Sequence, residues 1–240
     1  MAVFNNPNLA ILELVAQALG PVCEDVIFVG GCATGLLLTQ RRPEQIRVTE
    51  DVDIVAQALT VHDYHAIEKR VRAQGFSNDM RPDAPICRWV YKNVTIDLMP
   101  TVKDILGFAN RWYSLALETA EAVMLPSGKT IKLIAAPVFI GTKLEAFKDR
   151  GKDANGKPDF LGSHDLEDII TVVDRRPELL GECRAGAPEL RAYLAAEFKA
   201  LFANSEFEQA LSGHLPGDAF SQQRVTPLAK TLRELSKLMP

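Results

Sequence analysis

The spacing of the apolar residues changes character once along this chain, and that change limits the folds open to it. Up to Ile134 short β-branched runs alternate with helical stretches, whereas from Pro137 onward the spacing is almost entirely helical. Residues 9–19 place Leu9, Ile11, Leu12, Val15 and Leu19 on one helical face, and Gly20-Pro21 ends that run. Val26-Ile27-Phe28-Val29 is a short strand closed by Gly30-Gly31 and followed by a helical stretch at 33–38. Residues 51–55 alternate charge with β-branched side chains, 61–74 return to helical spacing, and 86–91 and 94–99 flank Lys92-Asn93 as the arms of a two-residue hairpin. The segment from 100 to 125 is mostly helical in pattern, and 130–134 is a short strand introduced by Ser127-Gly128. Helices are expected at 138–147, 166–173, 190–202 and 228–238. The pattern predicts an α+β fold: a small mixed sheet flanked by helices, then a mainly α-helical C-terminal region, divided at 1–128 and 129–240.

A chain of 240 residues with 47% apolar and 24% charged residues has ample material for a core and excludes a wholly disordered or fibrous protein. The formal net charge of -4 argues against a broad nucleic-acid-binding surface while leaving room for a local basic cleft. Cys23, Cys32, Cys87 and Cys183 are scattered, without a CxxC pair or a histidine at zinc spacing, and are expected to be reduced thiols. No stretch approaches the roughly 20 apolar residues that span a bilayer, and the first residues lack the pattern of an export signal. A cytoplasmic protein with no membrane partner is expected.

Chemistry is concentrated in three aspartates. Asp51 and Asp53 sit at i and i+2 on one strand, so both project from the same face. Two carboxylates so placed repel each other, and a hard divalent cation removes that penalty. Asp97, on the second hairpin arm, supplies a third carboxylate if its strand lies beside that of Asp51. Phosphoryl-group transfer asks for this arrangement: cations that bridge a triphosphate, and a group that accepts the proton of an attacking hydroxyl. Asp51, Asp53 and Asp97 are therefore the expected catalytic residues and the expected ligands of Mg²⁺ or Mn²⁺. Gly30 and Gly31 allow backbone N–H groups to meet phosphates at the start of the next helix.

The runs VGGCATGLLL, EDVDIV and TIDLMP resemble the DNA polymerase β-type nucleotidyltransferases, whose motif is a hydrophobic strand, Gly-Gly or Gly-Ser, a helix, Asp-x-Asp and a later strand aspartate. The interval between Gly31 and Asp51 is wider than in the most compact members, a feature that CCA-adding enzymes share. Further on, Lys143-Leu-Glu-Ala-Phe-Lys-Asp-Arg150, a polar loop, Asp159-Phe and His164-Asp-Leu-Glu-Asp-Ile169 look like the C-terminal signature of the AbiEii-type nucleotidyltransferases, the toxin components of type IV toxin-antitoxin pairs. By that resemblance Lys143 contacts the triphosphate, Asp165 belongs to the active site, and Lys148 and Arg150 are auxiliary cations. The likeness covers about residues 26–175 and none of the remainder. It implies an ATP- or other NTP-binding enzyme with a catalytic domain at 1–128 and a helical domain at 129–240 that completes the cleft. It further implies a tRNA or other macromolecular acceptor and a cognate antitoxin.

Plainer explanations compete at each position. Lys143, Lys148 and Arg150 are spaced with Glu145 and Asp149 as a salt-bridged helix face would be. Asp165 and Asp168 follow Ser163, a plausible N-cap, where acidic residues favour the helix dipole. Trp89 and Trp112 fit a core, and Arg41, Arg42 and Arg47 an ordinary charged surface. An antibiotic-type enzyme with a small-molecule acceptor, and a non-catalytic nucleotide- or partner-binding module of the same fold, are the alternative functions.

Overall fold

The computed structural model describes residues 6–40, 42 and 46–239. Arg41, one of the arginines singled out above, lies outside the described residues. Leu12, Val15 and Ala16 form the buried face of α1 (Leu9–Ala18), which passes into a 3₁₀ turn at Gly20–Glu24. The fully buried β1 (Val26–Val29) runs straight into α2 (Gly30–Leu37), so Gly30 and Gly31 are the first turn of the helix and not a separate loop before it. The strand β2 (Asp51–Ala56) leads to α3 (Val61–Ala73), which opens on a capping box. There the Thr60 hydroxyl accepts from the Asp63 amide at 3.1 Å, and the Asp63 carboxylate accepts from the Thr60 amide at 3.0 Å. The Thr60 side chain first, and then the Thr60 and Leu59 amides, hold the Asp63 carboxyl below its ordinary value.

A two-residue strand β3 (Ser77–Asn78) precedes the hairpin of β4 (Arg88–Tyr91) and β5 (Val94–Pro100), with Lys92 at φ 55 in the turn. Two short helices follow, α4 (Lys103–Leu106) and α5 (Tyr113–Glu118). A second hairpin, β6 (Glu121–Met124) and β7 (Thr130–Leu133), closes on Gly128 at φ +85. The seven strands form one sheet in the order β3-β4-β5-β2-β1-β7-β6. The β2–β5 pair is parallel, with α3 in the crossover, and β1 runs antiparallel to β2. Trp89, Ile96, Leu98, Ile54 and Phe28 are fully buried between the sheet and its helices, and the Tyr64 hydroxyl on α3 donates to the Leu98 carbonyl at 2.8 Å.

The sequence pattern reads 100–125 as mostly helical; β6 corrects that reading. Four residues are too few to reveal a period, and as an edge strand β6 leaves Glu121, Ala122 and Met124 exposed, so no apolar alternation marks it. The expected α+β class holds: sheet and helices come first, and the rest is helical.

Two compact units divide the chain: Met1–Leu36 with Gln45–Ala135, and Leu37–Glu44 with Ala136–Pro240. Because β7 pairs with β1 and β6, the sheet unit runs past 128 to Ala135. The second unit contains α6 (Ala136–Arg150), α7 (His164–Arg175), α8 (Leu179–Ala185), α9 (Pro188–Phe202), α10 (Ser205–Ala210), α11 (Ala219–Gln222) and α12 (Val225–Leu235). Its core joins Phe139 and Leu144 on α6 to Leu166 and Ile169 on α7, Leu194 and Phe198 on α9, and Leu232 on α12. Residues 37–40 are fastened to the end of α7: the amides of Thr39 and Gln40 donate to the Arg175 carbonyl at 3.1 and 2.9 Å, and Arg176 donates to the Leu37 carbonyl at 2.7 Å. Among the described residues no helix is long and apolar enough to cross a membrane.

Removing the capping hydroxyl tests the account of α3. Thr60→Ala is expected to cost about 1 kcal/mol of stability in the sheet unit, seen as a lower urea midpoint with little change in slope.

Candidate functional site

Strand register builds the site before any side chain is considered. Asp53 is paired with Asp97 across the parallel β2–β5 ladder, Asp97 with Arg88 across the antiparallel β4–β5 ladder, and Asp53 with Val29 across β1–β2. Arg88, Asp97, Asp53 and Val29 therefore form one transverse row over four adjacent strands, with their side chains on one face. Asp51 lies two residues from Asp53 on that face. The three aspartates expected to act together are thus brought together by pairing alone, and the condition set for Asp97 is met.

Arg88 is the residue that sequence reasoning missed. Its Nε donates to Oδ1 of Asp97 at 2.8 Å, and its Nη2 donates to Oδ2 of Asp97 and to Oδ2 of Asp51, both at 2.7 Å. One guanidinium thus serves both carboxylates, with a bidentate fork on Asp97. The bonds from Asp97 raise the Arg88 pKa against the opposing effect of burial, with the Asp97 and Asp51 charges adding to the rise. A signal for this was present: Arg88 stands four residues before the Lys92-Asn93 turn pair and Asp97 four after it, which a two-residue hairpin loop places opposite each other.

Asp53 is positioned differently. Gly30 has φ +69, and a Cβ built there would fall inside the Asp53 carboxylate, 2.5 Å from its Cγ. The Asp53 side chain occupies the space that any other residue at position 30 would need. Gly30 is thus required twice, for a left-handed backbone and for a missing side chain. Gly31 is buried immediately after it in the first turn of α2. The expectation that Gly30 permits close approach is met first by a carboxylate of the same chain.

The donor set suits a hard cation: three carboxylates and no competing thiolate. Cys87, next to Arg88, is pushed up to about 12, by burial first and then by the Asp97 charge, and so remains a thiol. Among the described residues no group of three His, Cys, Asp or Glu side chains is placed to hold a metal ion as the side chains stand. Asp51 and Asp97 turn to Arg88, and Asp53 packs on Gly30. Side-chain exposures of 35% for Asp51 and 21% for Arg88 leave this pair open to solvent.

In the second unit, Lys143 is only 5% exposed, and its Nζ stands 3.1 Å from Asp165 and 2.6 Å from Asp168. Arg150 adds two bonds to Asp165, from Nε at 2.8 Å and from Nη2 at 2.9 Å. Burial works to raise the Asp165 carboxyl, but the bonds and charges of Arg150 and Lys143 outweigh it and leave the pKa below its ordinary value. Lys143, Arg150 and Asp165 thus belong to one network, with Asp168, three residues along α7, as a further member. Lys148 stands apart from it, with its Nζ 2.8 Å from Glu197 and 3.7 Å from Glu145, which is the salt-bridged helix face weighed above. Ser163 does cap α7, accepting from the Leu166 amide at 3.4 Å. All four cysteines are free thiols, and Trp89 and Trp112 are core residues.

The sequence matches no protein-family profile and no curated protein. Among solved structures the chain is similar to the antibiotic-resistance factor ANT(2'')-Ia, at 13% identity and a TM-score of 0.46 over 86% of this chain and 98% of that one. It is also similar to JHP933 from Helicobacter pylori, at 14% identity and a TM-score of 0.42 over 96% and 90% of the two chains. A third likeness is to an H. pylori protein assigned by inference to the nucleotidyltransferases, at 12% identity and a TM-score of 0.43 over 96% and 93%.

Proposed function

We propose that the protein is a metal-dependent nucleotidyltransferase that moves a nucleoside monophosphate from an NTP to an acceptor hydroxyl, releasing pyrophosphate. The observation that carries this reading is the transverse row, in which parallel pairing sets Asp97 beside Asp53, with Asp51 two residues away on the same face. A divalent ion, Mg²⁺ or Mn²⁺, would be held by Asp51, Asp53 and Asp97 and would supply charge neutralisation along the triphosphate. Asp97, at 8% exposure, is the least solvated of the three and is suited to holding the proton of an incoming hydroxyl once its bonds to Arg88 are released. The turn from β1 into α2 brings the Gly30 and Gly31 amides to the helix start beside Asp53, where the helix dipole favours an anion.

For the acceptor we follow the AbiEii-type resemblance and propose an RNA end, with tRNA first and an antitoxin as the regulating partner. Reaction of the protein and Mg²⁺ with each α-³²P-labelled NTP and total bacterial RNA is expected to label a tRNA-sized band, and Asp53→Asn to abolish it. Label on a small molecule alone would favour the antibiotic-type reading, and no transfer to any acceptor would favour the binding module.

Gly30→Ala is expected to remove transfer as fully as Asp53→Asn, since the new methyl group must displace the Asp53 carboxylate. The strained backbone adds about 1–2 kcal/mol of instability. Full transfer by a folded Gly30→Ala protein would show that Asp53 need not lie where it does. By the resemblance Lys143 contacts the triphosphate and Asp165 belongs to the active site, with Lys148 and Arg150 as auxiliary cations. Lys143→Met leaves two buried carboxylates short of a partner and is expected to destabilise the helical unit by about 3–5 kcal/mol in urea unfolding. Loss of transfer at a temperature where this variant is still folded would support the assigned phosphate contact, and retained transfer would leave Lys143 a structural role alone.

A further inference from the structure

We propose that Arg88 is a built-in counter-cation of the carboxylate row, one that a divalent ion must displace from Asp51 and Asp97, so that the site binds metal with a lowered apparent affinity. The inference rests on the metal-dependent reading above and adds a regulating residue to it. Three observations carry it. Arg88 is fixed opposite Asp97 by strand register, so its contact belongs to the sheet and not to a wandering surface chain. Its three bonds, at 2.7–2.8 Å, engage an oxygen of Asp51 and both oxygens of Asp97. A guanidinium and a divalent ion cannot share those oxygens, because their charges repel and the donor fork fills the same space.

A route out also exists, since 21% of the Arg88 side chain is accessible to solvent. The two cations then exchange by population. Apparent metal affinity is the intrinsic affinity scaled by the fraction of molecules whose guanidinium has withdrawn. Charge-assisted bonds of this kind are strong enough to keep that fraction small.

The test is direct metal binding, read from the loss of the free Mn²⁺ electron paramagnetic resonance signal, alongside melting curves with and without Mn²⁺. Arg88→Gln keeps most of the side-chain length and removes the charge. It is expected to bind Mn²⁺ at least about tenfold more tightly than wild type. It should melt lower than wild type without metal and recover most of the difference when Mn²⁺ is present. Arg88→Lys, which cannot fork across both carboxylates, is expected to fall between the two and serves if Arg88→Gln does not fold. Asp51→Asn is expected to weaken binding in every background. Equal or weaker Mn²⁺ binding by the Arg88 variants would overturn the inference alone, leaving Arg88 as a support for the carboxylates. No Mn²⁺ binding by wild type or by any Arg88 variant would overturn the metal reading itself.

Discussion

The first unit is organised around repulsion between carboxylates. Asp53 and Asp97 are neighbours on the parallel β2–β5 pair, and Asp51 shares their face. Such a row is unfavourable without positive charge. The strand order places an arginine from β4 at one end of the row and the start of α2 at the other. Each carboxylate is thereby given a definite position: Asp51 and Asp97 at the guanidinium, Asp53 in the hollow left by Gly30.

Register, more than any single contact, gives that arrangement its accuracy. Shifting β2 by one residue would send Asp51 and Asp53 to the opposite face and bring Val52 into the row. Burial prevents the slip: Val52 and Ile54 are fully buried on the face opposite the carboxylates. The core thus fixes the alternation that the site needs. The helical unit holds charge in another way. Its network joins α6 to α7 through buried Lys143, Asp165 and Asp168, with Arg150 closing it from the solvent side. The three buried members depend on one another, since loss of one leaves a buried charge short of a partner.

Much of this was legible in the sequence because it depends on local rules. The strand-to-helix turn at Gly30, the i, i+2 aspartates and the two-residue hairpin follow from period and turn chemistry, and the long helices follow from apolar spacing. What escaped had no local signature. β6 is four residues at a sheet edge with little to bury, and α8, α10 and α11 are too short to show a period. Arg88 is the exception, since the two-residue hairpin sets it opposite Asp97. Asp168 looked like a favourable charge near a helix start, and only the packing of α6 against α7 gives it Lys143. Long-range pairing decides such cases, and composition and spacing do not encode it.

The segment Leu37–Glu44 has a consequence for how this protein can be divided. It leaves the sheet unit after α2, supplies amide donors to the end of α7, and returns before β2, so neither unit is an uninterrupted stretch of chain. A cut before Ala136 would yield a helical fragment whose Arg175 carbonyl has lost the Thr39 and Gln40 amides. The remaining fragment would carry a strap with nothing to fasten. Exchange of one half would meet the same obstacle, because the helical unit draws residues from both sides of the cut.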